Sequence, residues 1–239
     1  MTLAGPGVQT GLPAGRAEDL AAAALALARR LHAGGTLWCA SPAWPHHAQH
    51  VAVEFVHPVI VGKPALPAVA LGPHDLVSAA RANVRSGDVV LVIGTAQDAL
   101  AAELVRRAGV WGATTMWIGA GPRPEAGAAD HVLWLAEEGM APHDGQFILL
   151  YHLLWELAHL CLEHGALLEA TPDCAGPVCI TCSDEGRVAE VLQVSGSTTR
   201  VRSAAGQEDV DLALVGPTAP DDLLVIHAGM AITRLGATS

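Results

Sequence analysis

Apolar positions in the first part of the chain switch repeatedly between helical and strand spacing. Residues 18–32 repeat Ala and Leu at helical spacing and stop at Gly34-Gly35, which predicts a helix closed by glycine. A strand is predicted at 36–40, a helix at 46–57 ended by Pro58, and a short apolar run at 67–71. A helix at 75–85 leads through the turn Gly87-Asp88 into 89–94, a fully apolar strand of the kind buried on both faces of a parallel sheet. A helix at 97–109, strands at 114–118 and 131–135, and a long helix at 144–164 complete this part. Strands alternating with helices predict an α/β fold with a doubly wound parallel sheet.

The pattern changes near residue 170. Every Phe, Tyr and Trp lies before it, and His227 is the single histidine beyond it. Short strand patterns at 188–194, 199–203, 210–215 and 223–227 are separated by Ser195-Gly196, Gly206 and Gly216-Pro217. Five short strands close naturally into a small antiparallel β-barrel. The Gly- and Pro-bearing stretch between the halves reads as a linker. The predicted organisation is an α/β domain at 1–165, a linker at 166–178 and a β-barrel at 179–239.

Composition narrows the function classes. The 239 residues are 51% hydrophobic and 15% charged, with a net charge of -11, which excludes a disordered chain. Lys63 is the sole lysine, and no Lys/Arg cluster exceeds a pair, so neither nucleic acid nor an anionic lipid surface is an expected partner. The longest apolar stretch, 147–162, is interrupted by His152, Glu156 and His159, too polar for the roughly 20 apolar residues of a membrane span. The Ala/Leu run at 20–28 has acidic residues before it and Arg29-Arg30 after it, the reverse of a signal peptide; the expected location is the cytoplasm. Five cysteines, an odd number, read as thiols, with Cys39 and Cys161 in the core. Most of His46, His47 and His57 read as surface or capping residues, and Trp44, in its Pro-flanked loop, as a plug or a contact.

Residues 34–56 resemble the SIS domain of the phosphoheptose isomerase family through Gly34-Gly35, the strand Leu37 to Ala40, Ala48-Gln49-His50 and Glu54. The run Tyr151 to Leu157 is similar to that family's closing helix, and the resemblance spans roughly residues 18–165. It implies a flavodoxin-like, SIS-type sheet and self-association as a dimer or tetramer. It also implies a catalytic or metal-binding set at His50, Glu54, Asp144 and His152, two imidazoles and two carboxylates that suit zinc or nickel. Where the family has a Gly-rich phosphate loop, this chain reads Ser41-Pro42-Ala43-Trp44-Pro45; proline has no N–H to offer an anion. The second loop, Gly94 to Asp98, keeps one hydroxyl and adds a carboxylate, and Arg123 is a lone positive charge.

The barrel half carries a second resemblance. Cys179-Ile180-Thr181-Cys182, the run Asp209 to Gly216, and Asp222 to Ile232 are similar to the HypC/HupF family of hydrogenase maturation chaperones, which are small OB-like barrels. The resemblance implies that Cys179 and His227 handle iron as an Fe(CN)2CO cargo, a thiolate and an imidazole suiting low-spin iron. The implied partners are a HypD-like maturation protein and the hydrogenase large-subunit precursor; Cys182 and Cys174 are further thiols near the site.

Together these readings make the chain an expected NiFe-hydrogenase maturation chaperone, non-catalytic, with an SIS-like oligomerisation domain. The alternative is a sugar-phosphate isomerase, of the type acting on sedoheptulose 7-phosphate, with Glu54 as base and His152 as acid. A metal carrier using the same histidines and carboxylates is a further alternative.

Overall fold

The computed structural model describes residues 14–135, 145–169 and 186–235. Helix α1 (Ala14–His32) buries Leu20, Ala23, Ala24, Leu27 and Leu31, the spacing of one helical face. It stops where Gly34 takes a φ of +92°, a conformation open mainly to glycine. Gly35 serves differently. A Cβ there would meet the Gly87 carbonyl oxygen at 2.6 Å, so two turns approach too closely for any side chain.

Strand β1 (Leu37–Ala40) leads to α2 (Pro45–Val56), β2 (Ala68–Ala70) and α3 (Leu76–Asn83). Strand β3 (Val89–Ile93), α4 (Ala99–Val110), β4 (Thr114–Gly119), β5 (His131–Trp134) and α5 (Gly145–Glu163) follow. Each lies where the apolar pattern places it, with ends shifted by a few residues. The strands pair in parallel in the order β2-β1-β3-β4-β5. Strands β3 and β4 are buried throughout because both faces of the sheet are covered. Leu91, Ile93, Met116 and Ile118 pack with α1, α2 and α5, whereas Val90, Val92 and Trp117 pack with α3 and α4. The winding reverses between β1 and β3, so the crevice at the C-terminal ends of those two strands is the topological switch point, where open α/β sheets bind ligands.

The opposite end of the same strands is tied by a carboxylate. Asp88, buried, accepts from the Thr36 N–H at 2.9 Å, the Trp38 indole at 2.9 Å and the Arg85 N–H at 2.8 Å. By length and composition helix α5 is apolar enough to cross a membrane despite the polar residues that interrupt it, contrary to the expectation from its sequence. Its Phe147, Leu150, Leu154 and Trp155 are buried in the core shared with α1 and α2. Cys39 is fully buried as expected, but Cys161 is only half-buried.

Strands β6 (Arg187–Ser195), β7 (Thr198–Ser203), β8 (Gly206–Asp211), β9 (Leu223–His227) and β10 (Met230–Leu235) close into a barrel in the order β10-β8-β7-β6-β9. Its interior is aliphatic, with Ala189, Val191, Val201, Leu224 and Ile226 among its members. Two expectations are corrected here. The strand predicted at 210–215 is β8, which starts earlier and ends at Asp211. The Ser203–Gly206 pairing fixes its register, and its polar Gln207-Glu208-Asp209 run hid it. The Asp211 carboxylate then accepts from the Ala213 N–H at 2.7 Å and turns the chain out of the ladder. Nor is the barrel wholly antiparallel, because β10 joins β8 in parallel.

A buried carboxylate joins the barrel to the sheet. Glu190 on β6 is fully buried. It accepts from the Trp111 indole at 2.8 Å, from Arg81 at 3.1 Å and from Arg107. Arg202 of β7 reaches back to the Arg81 and Val84 carbonyls at 3.1 and 2.7 Å and lies over the Trp111 ring.

Candidate functional site

Two helices build the site. On α2, His50 and Glu54 are four residues apart and so share one face. On α5, Tyr151 and His152 come opposite them, held by the Trp155 indole, which donates to the Glu54 backbone carbonyl at 2.9 Å. The Glu54 Oε1 atom lies 3.3 Å from His50 Nε2 and 3.8 Å from His152 Nε2. The two imidazole rings are 5.1 Å apart, nearly perpendicular. All three side chains are half-buried at the edge of the α2–α5 contact.

Behind them the site continues inward. The Tyr151 hydroxyl is 2.9 Å from His50 Nδ1 and 3.5 Å from His47 Nδ1. Burial, aided by the Glu54 charge, pushes the Tyr151 hydroxyl up to about 12. His47 is buried beside Phe147 and Tyr151, which corrects its expected surface or capping role; His46 and His57 are exposed. Neither Tyr151 nor His47 is legible from sequence as a site residue, although Tyr151 is the chain's sole tyrosine and adjoins His152.

His50, Glu54 and His152 each offer one ligand atom, all within 4.8 Å of one another. Two imidazoles and a carboxylate are a donor set that fits zinc or nickel. Asp144, the fourth member implied by the family resemblance, lies outside the described residues, as do Cys174, Cys179 and Cys182. His227 is half-buried at the end of β9, paired in register with Met230.

The switch-point crevice is occupied by the chain's own groups. The Ser41 hydroxyl, buried after β1, donates to the Ile93 carbonyl at the end of β3 at 2.8 Å. Pro45 opens α2. The Trp44 ring packs 5.8 Å from Phe147, and the Trp44 and His47 N–H groups are bonded to backbone carbonyls. At the start of α4, the Asp98 carboxylate accepts from the Leu100 and Ala101 N–H groups, both at 3.1 Å. Arg123 points away to Asp19, at 3.9 Å.

The parallel sheet and the helices on its two faces give the first part of the chain a fold like that of sugar isomerases. Among solved structures, a phosphoheptose isomerase from Francisella tularensis is 21% identical with a TM-score of 0.53, the match covering 63% of this chain and 88% of that one. Phosphoheptose isomerase GmhA from Neisseria gonorrhoeae is 20% identical with a TM-score of 0.46, covering 59% and 86%. No family model and no curated protein matches the chain. The expectation of a hydrogenase maturation chaperone is corrected by this result: the solved structure whose fold the first part of the chain shares is a phosphoheptose isomerase. What the second part of the chain shows is a closed five-stranded barrel.

Proposed function

We propose that the chain is an aldose–ketose isomerase whose proton-transfer groups are Glu54 and His152. The observation that carries this reading is the position of one carboxylate between two imidazoles, 3.3 and 3.8 Å away. The Glu54 carboxylate removes the proton from the carbon next to an open-chain sugar carbonyl. His152, in its protonated form, gives a proton to the carbonyl oxygen, so an enediol forms without free charge. Return of the Glu54 proton to the former carbonyl carbon, with His152 taking the proton of the neighbouring hydroxyl, yields the ketose. Such acid–base pairs contribute roughly a hundredfold to ten-thousandfold each. His50, fixed by Tyr151, holds Glu54 in place. A zinc or nickel ion held by His50, Glu54 and His152 would take the lone pairs that carry these protons, and would act in their place as a Lewis acid on the sugar's oxygens.

The test is deuterium incorporation from heavy water into aldoses and their phosphates, followed by NMR, with zinc-loaded and chelator-treated protein. Glu54→Gln is expected to lower the exchange rate at least a hundredfold. Equilibrium dialysis with zinc, comparing the wild type with His50→Ala, reports on the ion independently. An absence of exchange with every sugar, in both preparations, sinks the isomerase reading.

A further inference from the structure

We infer that the substrate of this site is a free, uncharged sugar, not a sugar phosphate. The inference rests on the isomerase reading and concerns what grips the rest of the molecule. In an open α/β sheet a phosphate is held at the switch point by N–H groups at the starts of the flanking helices. Here those helices are α2 and α4, and at both starts the chain itself takes N–H groups that an anion would use. At α2, Pro45 has no N–H to give, and the Trp44 and His47 N–H groups already bond to the Ser41 and Trp44 carbonyls at 3.2 and 2.9 Å. At α4, the Asp98 carboxylate sits where an anion would, taking the Leu100 and Ala101 N–H groups. Between them the Ser41–Ile93 bond, at 2.8 Å, ties the two strand ends together.

Charge agrees with geometry. The described segments that follow β1, β3 and β4, at 41–44, 94–98 and 120–130, hold one basic residue, Arg123. They hold the acids Asp98, Glu125 and Asp130. A phosphate dianion meets repulsion along this edge, whereas a neutral polyol does not.

The test uses the full chain and paired probes: ribose, arabinose, glucose and mannose, each against its terminal phosphate, in heavy water. Glu54→Gln is the control for each pair. The expected result is Glu54-dependent exchange into at least one free sugar, with kcat/KM at least tenfold above that of its phosphate. Glu54-dependent exchange that is faster with the phosphates overturns the inference and leaves the isomerase reading intact. Exchange with neither class overturns both. As a second measurement, calorimetric titration with inorganic phosphate is expected to show no binding at millimolar concentrations; saturable binding with a Kd below about 1 mM, a strength of roughly 4 kcal/mol, also overturns the inference.

Discussion

Tyr151 is the residue through which the site can be watched without a substrate. It is the sole tyrosine, so absorbance at 295 nm reports on it alone. An unperturbed tyrosine titrates near 10. Here burial first, and the neighbouring Glu54 charge second, push it up to about 12. Because the folded value lies above the unfolded one, the contribution to stability is complete below about pH 10 and is lost as the pH rises toward 12. The expected titration midpoint in the folded protein is therefore close to 12, falling in Glu54→Gln as the charge is removed. A midpoint near 10 in both proteins would show that the hydroxyl faces water and does not order His50. The same residue marks a limit of sequence reading. His50 and Glu54 were legible because their four-residue spacing puts them on one face of a single helix. His152 became their neighbour only on the resemblance, since nothing local says which face of α5 meets α2. Tyr151 and His47 were missed because their roles depend on that contact and not on spacing.

At the scale of the element, α4 shows a helix start serving as both cap and stopper. Asp98 satisfies two of the N–H groups that a helix otherwise leaves unpaired, and its charge lies at the positive end of the helix dipole. Asp98→Ala is expected to cost about 1 kcal/mol, read as a lower urea midpoint with an unchanged slope. A loss within error of zero would mean that water or a bound anion replaces the carboxylate without penalty, and would weaken the argument that this start is self-filled. The helices and central strands were legible because their apolar runs are long and bounded by Gly, Pro or Asp. Strand β8 was not, since Gln207, Glu208 and Asp209 break the apolar pattern, and the strand is set by pairing with β7 instead. The parallel β8–β10 closure was equally hidden, because strand direction across a barrel seam is a property of the assembled chain.

For the whole molecule, the question is whether sheet and barrel fold as one unit. The linker signal in the sequence argues for two independent bodies, but the contact between them argues for coupling. Glu190 is fully buried, and its partners Arg81, Arg107 and Trp111 come from α3, α4 and the turn after α4. Arg202 closes the same contact from the barrel side. A buried carboxylate with three donors adds little net stability over apolar packing, but removing one partner strands the others. Glu190→Ala is therefore expected to cost about 3 kcal/mol, the low end for a broken buried pair, because Arg81 and Arg107 keep Asp221 and Glu103 as partners. The aromatic residues make the test direct. All tryptophans lie in the first part of the chain, so fluorescence follows the sheet, whereas far-UV circular dichroism follows both parts. In the wild type the two unfolding curves in urea are expected to coincide. In Glu190→Ala they should separate, with the barrel's strand signal lost at a different urea concentration from the tryptophan signal. Separate transitions already in the wild type would show that the Glu190 contact does not couple the parts, and would restore the two-body organisation that the composition shift suggests.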